Sequence, residues 1–323
     1  MTRLETALTK LFDIEHPILL APMGSNSGGA MASAVTEAGG LGIIGGGYGD
    51  GASLEAELEK AGNSRVGIGF ITWAIEDKPE IVGAALERSP AALFLSFGDH
   101  TPYVAEIKRA GVPLICQVQT LEQARVALQS GADVIVAQGQ EAGGHGMTAR
   151  GTLSLVPAIV DLAGAVPVVA AGGIADGRGL AAALMLGASG VLMGTRFCAA
   201  EESLWKPEMK ADIVAAQGDD TVRTSVFDLF RDPSWPAPFD GRAIGNASTE
   251  KWRDNVAGLQ ANLETERSAY DAAVERGDPR TKVVWAGEAV DLIDGVLPAG
   301  TIVEKTVAEA FAMLTEKKTY ALI

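Results

Sequence analysis

Asp133-Val-Ile-Val-Ala-Gln-Gly-Gln-Glu-Ala-Gly-Gly-His145-Gly146 is the stretch on which the fold turns. It opens as a short Val/Ile run, the composition of a strand buried on both faces. It then breaks into a loop in which His145 stands among Gly143, Gly144 and Gly146. A buried strand ending in a glycine-rich turn is the junction of a βα unit, and such turns carry function on a rigid scaffold. Just before it, Ser130-Gly131-Ala132 ends a helical pattern over Leu121–Ser130. The same stop precedes other strands, at Ala38-Gly39-Gly40, Ala110-Gly111 and Leu186-Gly187-Ala188. Glycine adopts the left-handed conformation cheaply, so the chain can leave a helix and reverse into the next strand.

Working outward, strand-sized apolar runs recur at Pro17–Ala21, Leu41–Gly45, Val66–Phe70, Ala92–Phe97, Leu114–Val118, Val134–Gln138, Val168–Ala171 and Val191–Gly194, with helical patterns between them. Eight strand–helix alternations in about 200 residues predict an α/β fold of the (β/α)8 TIM-barrel kind, in preference to an open doubly wound sheet. After residue 200 the rhythm stops. Thr221–Asp228 and Arg231–Arg242 read as an extended, Pro-stiffened excursion, and Gly258–Glu275 as a helix. Val303–Thr315 reads as the eighth barrel helix. The expected organisation is a barrel over 1–200 and about 296–323, with a smaller, mainly helical lid over about 201–295 inserted on the site face.

Composition narrows the partners. With 41 acidic against 26 basic residues the formal charge is −15, which disfavours nucleic acid and anionic membranes. A mean hydropathy of +0.18 marks a globular chain, and no apolar run reaches membrane-spanning length. Leu4, Leu8, Leu11 and Phe12 fall at helical spacing, so the N-terminus reads as an amphipathic helix, not a signal peptide. Cys116 and Cys198 lie in apolar contexts without paired spacing and read as buried thiols of a cytoplasmic protein.

In a barrel, a ligand phosphate sits on the loops after the seventh and eighth strands. Here these are Ala170-Ala-Gly172-Gly173-Ile174 and Met193-Gly194-Thr195-Arg-Phe197. Bare main chain at Gly172, Gly173 and Gly194 can approach phosphate oxygens, and Thr195 adds a hydroxyl. The first strand ends in Ala21-Pro22-Met23-Gly24, where Met23 offers a polarisable side chain to a flat ring. Gly40-Leu-Gly42-Ile-Ile-Gly45 matches a dinucleotide fingerprint in letters only, because its glycines lie within a strand. His145 is the leading catalytic candidate. His100 is weaker, and His16, at the opposite end of the barrel, reads as structural. No metal-ligand spacing and no serine-nucleophile motif is present.

Ala21-Pro-Met-Gly24, Gly139-Gln-Glu-Ala-Gly-Gly-His-Gly146, Ala171-Gly-Gly-Ile174 and Gly194-Thr-Arg-Phe197 together resemble the nitronate monooxygenases, formerly called 2-nitropropane dioxygenases. Trp235-Pro236, Arg242 and Val284-Trp-Ala-Gly-Glu288 extend the likeness over nearly the whole chain. The resemblance implies an FMN-dependent barrel enzyme that oxidises alkyl nitronates, with nitroalkanes as a further substrate class, using O2 to give a carbonyl compound and nitrite. It implies that Ala21, Pro22, Met23 and Gly24 line the flavin ring. Gln117 and Gln138 would bond its polar edge or ribityl chain, and Gly143 would pass close to it. Ala170, Gly172, Gly173, Gly194 and Thr195 would hold the phosphate, and His145 would be catalytic. Two departures concern the flavin: Gly67-Ile-Gly-Phe70 stands where some members carry Asn, and Gln117 where some carry Lys. FMN-dependent enoyl-acyl-carrier-protein reductases share the same loop and turns, so an NAD(P)H-dependent enoyl-thioester reductase is the alternative. A flavin-binding barrel without turnover and a flavin-free phosphosugar barrel are further rivals. A homodimer is compatible with the resemblance, and the sequence leaves oligomeric state open.

Overall fold

The computed structural model describes residues 3–231, 235–276, 278 and 280–315. The parts of the expected lid and last barrel segment at 232–234, 277, 279 and 316–323 lie outside the described residues. Eight apolar runs form parallel strands: β1 (Ile18–Leu20), β2 (Ile43–Gly47), β3 (Gly67–Ile71), β4 (Leu93–Ser96), β5 (Leu114–Val118), β6 (Val134–Gln138) and, after the short β7 (Gly144–Gly146), β8 (Val168–Ala171) and β9 (Gly190–Met193). They pair in the order β1-β9-β8-β6-β5-β4-β3-β2. Leu20 N–H on Leu41 O (3.0 Å) and Leu41 N–H on Ile18 O (2.9 Å) join β1 to the chain entering β2, closing the barrel.

Period-two alternation sorts every strand. Leu19, Ile43, Phe94, Ile115, Val134, Val136, Val169, Ala171 and Leu192 fill the interior. Their neighbours, among them Ile18, Leu20, Leu95, Ile135 and Met193, pack outward against the helices. Leu8 and Phe12, from the helix Ala7–Phe12, join the interior cluster, so the N-terminal helix plugs the barrel's lower end. Burying a Phe such as Phe94 stabilises the fold by roughly 1.5–3 kcal/mol.

Local signals set the helix ends. Thr120 and Gln123 form a reciprocal capping box at the start of Leu121–Ser130, and Gly131 ends that helix at φ +95°. The letters resembling a dinucleotide fingerprint have a packing cause: a Cβ on Gly42 would lie 1.9 Å from Ala32 O, so β2 and the helix Gly29–Glu37 touch through bare main chain.

After β9 come the short helix Thr195–Cys198, the helix Pro207–Ala215, β10 (Thr221–Thr224), the helix Val226–Phe230 and β11 (Asp240–Ile244). The segment read as an extended excursion thus contains two strands around a helical turn. Antiparallel β10-β11-β7 forms a second sheet, with Gly241 opposite His145 and Arg223 opposite Arg242. The expected helix over Gly258–Glu275 is two, Val256–Ala261 and Leu263–Glu275, broken at Asn262, which leaves helical geometry (φ −121°, ψ 20°). The helix Ala299–Thr315 then packs on Gly177–Met185 and Gly29–Glu37 and completes the outer ring, with Glu309 accepting from Gly177 N–H (2.8 Å). No helix among the described residues is long and apolar enough to cross a membrane.

Candidate active site

The interior alternation that gives Ile115, Val134 and Val136 to the core puts Gln117 and Gln138 on the same barrel face one step nearer the C-terminal mouth. There they are joined: Gln138 Oε1 accepts from Gln117 Nε2 (3.2 Å) and from Gln119 Nε2 (2.7 Å). Gln138 Nε2 in turn donates to His145 O (3.1 Å), so the top of the interior grips the imidazole-bearing segment.

The lid holds the same segment from above. Arg223 Nη2 donates to Gln140 O (3.0 Å) and Ala142 O (3.3 Å), Arg242 Nε to Gln140 O (3.3 Å), and Glu288 N–H to Glu141 O (3.0 Å). Asp240 and Glu288 neutralise the two guanidinium groups at 2.7 and 2.8 Å. His145 Nε2 lies 2.7 Å from Asp228 Oδ1, the two side chains being 10% and 5% exposed. With a carboxylate as acceptor, Nε2 carries the hydrogen and Nδ1 keeps the lone pair. Burial pushes the imidazole below its ordinary value of 6.5, and the bond and charge of Asp228 oppose that shift. The result is a neutral ring at neutral pH.

Aromatic side chains surround it. Trp235 lies parallel on the imidazole (3.5 Å between centroids, 4° between planes), and Trp285 leans on it at 4.8 Å. Tyr270 stacks on Phe230 (4.6 Å) in a separate apolar cluster and takes no part. His100 bonds Ser130 Oγ (2.8 Å), and His16 is buried beside Gly39, so neither joins His145.

The remaining sequence candidates line the same mouth. The Ala21 side chain packs on the interior cluster, and a Cβ on Gly69 would lie 2.4 Å from Pro22 Cβ. A Cβ on Gly45 would meet Met23 main chain at 2.5 Å, and one on Gly24 would lie 3.3 Å from Gly47 Cα. Small residues thus let Ala21–Gly24 lie flush across the β2–β3 rim. Met23 Sδ accepts from Cys198 Sγ (3.7 Å), and Asn26 Nδ2 donates to Cys198 Sγ (3.0 Å), which fixes its direction. Both cysteines are free and buried, and burial pushes the Cys198 thiol up to about 12.

In the turn after β8, Gly172 and Gly173 take left-handed conformations (φ +98° and +70°). Thr152 Oγ1 donates to Gly172 O (3.0 Å) and braces that turn. Gly194 precedes Thr195, whose hydroxyl accepts from Gly287 N–H (3.0 Å). A Cβ on Gly143 would lie 2.4 Å from Gly287 N and 2.8 Å from Thr195 Oγ1, so the glycine-rich loop and the β9 turn are in close contact. Ala170 faces outward into the helical layer, which leaves only its main chain for the mouth.

Phe97, after β4, sits at φ +62°, where a bulky side chain costs about 1–2 kcal/mol. Its carbonyl accepts from Trp73 N–H (3.0 Å). Neither it nor Asp228 was singled out from sequence. Asp228 lies 83 residues from His145, and nothing local marks an aspartate as the partner of a distant imidazole.

A closed parallel barrel whose polar side chains converge at the C-terminal mouth, under an insertion that shares a sheet with the imidazole segment, defines a (β/α)8-barrel enzyme. A sequence profile of the nitronate monooxygenase family matches residues 5–64 and 79–309. A nitronate monooxygenase of Neurospora crassa is 34% identical over 370 residues, covering 98% of this chain and 96% of that protein. The nitronate monooxygenase npaC of Metarhizium robertsii is 36% identical, covering 92% of each. Among solved structures, FabK from Thermotoga maritima superposes with a TM-score of 0.81 at 31% identity, covering 96% of this chain and 97% of its own. Nitroalkane oxidase from Streptomyces ansochromogenes gives 0.78 at 27%, covering 96% and 100%. The chain belongs to the nitronate monooxygenase family, a generally flavin-dependent group, and is an oxidoreductase.

Proposed function

We propose that this protein is an FMN-dependent enzyme that oxidises alkyl nitronates with O2 to a carbonyl compound and nitrite. The observation that carries this reading is the buried His145–Asp228 pair at the barrel mouth. Family membership supports it. The mouth also fits the cofactor. It offers a rim of bare main chain at Ala21–Gly24, amide side chains at Gln117 and Gln138, close-packed glycine at Gly143, and glycine turns at Gly172, Gly173 and Gly194 beside the Thr195 hydroxyl. In this assignment Ala170 contributes main chain only. FMN supplies the electron-accepting chemistry when bound.

The protein's own groups bind and orient. His145 Nδ1 is the atom free to meet a nitro oxygen or an acidic C–H, while Asp228 holds Nε2–H and thereby the tautomer. A neutral imidazole can take the proton of a nitroalkane, and once protonated it donates to the nitronate anion. The indole faces of Trp235 and Trp285 keep water from the ring and strengthen its charge-assisted bond to Asp228.

The test is the visible spectrum of the purified protein, followed by anaerobic titration. Bleaching of a bound flavin by ethylnitronate without nicotinamide is expected. Bleaching only by NADH or NADPH would instead assign an enoyl-thioester reductase.

A further inference from the structure

Over the half of the mouth opposite the phosphate-binding loops stand five aromatic side chains whose rings meet edge to face. Trp235 lies 5.5 Å from Trp73, 5.1 Å from Phe97, 6.4 Å from Tyr48 and 6.2 Å from Phe239, with interplanar angles between 74° and 84°. Tyr48, Trp73 and Phe97 come from the turns after β2, β3 and β4, whereas Trp235 and Phe239 come from the lid. One face of Trp235 rests on His145, so this aromatic wall begins at the proposed reacting atom.

Two details show that the wall is held in place. Phe97 is a bulky residue in the left-handed region, a conformation that persists only where its surroundings over-determine it. Its ring contacts Trp235 and Phe239, and its carbonyl bonds Trp73. The Trp73 indole N–H is buried and meets no acceptor among the described residues, a measure of how apolar the wall is. At its edges the ring cluster makes polar contacts, His145 Nε2 on Asp228 and the Tyr48 hydroxyl, which accepts from Trp235 Nε1 (2.8 Å).

We infer that this wall makes the site selective for nitronates whose carbon bears an aryl group, with Trp235 and Phe97 as the specificity-determining residues. The inference rests on the nitronate reading above and adds the class of substituent. The anionic head meets His145 while the flat apolar body lies against the rings, where each edge-to-face or offset contact contributes up to roughly tenfold beyond area burial. A small alkyl nitronate makes the same polar contact and leaves the wall unused.

The experiment compares kcat/KM for ethylnitronate, hexylnitronate and phenylmethanenitronate on the flavin-loaded enzyme. The expected order is aryl over hexyl over ethyl, with an aryl-to-ethyl ratio of about 10–100. Trp235→Ala should reduce that ratio at least fivefold, and Trp235→Phe, which keeps a flat ring, should hold it within about threefold of wild type. Phe97→Asn removes the ring while suiting the left-handed backbone, so it reports on the wall even if Trp235→Ala fails to fold. It too should lower the ratio. Equal rates on aryl and hexyl nitronates would overturn the inference, as would a Trp235→Ala change common to all three substrates. Failure of every nitronate to reduce the flavin would sink the nitronate reading itself, which is a different result.

Discussion

Replacing Asp228 by Asn keeps the side chain's shape and removes the charge facing His145 Nε2. The bond at stake is charge-assisted, 2.7 Å long, and lies between side chains 10% and 5% exposed. Such bonds are worth about 1.5–3 kcal/mol, and at about 1.4 kcal/mol per decade the loss is roughly 10- to 150-fold. The substituted amide can also donate to Nε2, which moves the ring hydrogen to Nδ1 and leaves no lone pair toward substrate. The two substrate forms should therefore separate. Turnover of neutral nitroethane, which needs a base, should fall toward the upper end of that range, while preformed ethylnitronate should fall less than about tenfold. Because Asp228 raises the imidazole pKa, its loss should move the acid limb of the nitroethane profile to lower pH. Oxygen-electrode rates for both forms between about pH 5 and 9 measure this. Equal losses on both substrates, or an acid limb displaced upward, would refute the assignment of His145 as a base held by Asp228.

Gly172→Ala forces a side chain onto φ +98° and places its Cβ 2.9 Å from Gly139 O, so the flavin-to-protein ratio after purification should drop with the far-UV spectrum unchanged. Phe94→Ala empties the barrel interior, and urea unfolding should report a loss of about 3–5 kcal/mol. Burial lowers His145 below 6.5, so the unfolded chain binds the extra proton in that window. Its contribution to stability is complete above about pH 6.5 and declines as pH falls toward the folded value, which urea midpoints compared between wild type and His145→Phe should resolve.

Much of the barrel was legible because its signals are local. Val134–Gln138 is a short buried run, Gly131 is a helix stop, and the interior follows from parity once the strands are set. The lid was harder to read. Asp240–Ile244 is a strand only because it pairs with Thr221–Thr224 on one side and Gly144–Gly146 on the other, and neither pairing leaves a periodic trace. Glycine turns and the His145 loop could be found from residue type and position. Asp228, Phe97 and the stacking of Trp235 on His145 are long-range contacts that emerge only when the lid folds over the mouth.

The three residues of β7 belong to two structures at once. They continue the chain out of β6, yet their ladder partners are in β11. Swinging the insertion away as a rigid flap would therefore tear hydrogen bonds from the imidazole's own backbone, a cost that side-chain movement with this seam intact avoids. For protein engineering the insertion is no detachable module: grafting a foreign segment onto this barrel would strip the His145 segment of its ladder partner unless the graft reproduced the edge of β11 on which His145 is hung.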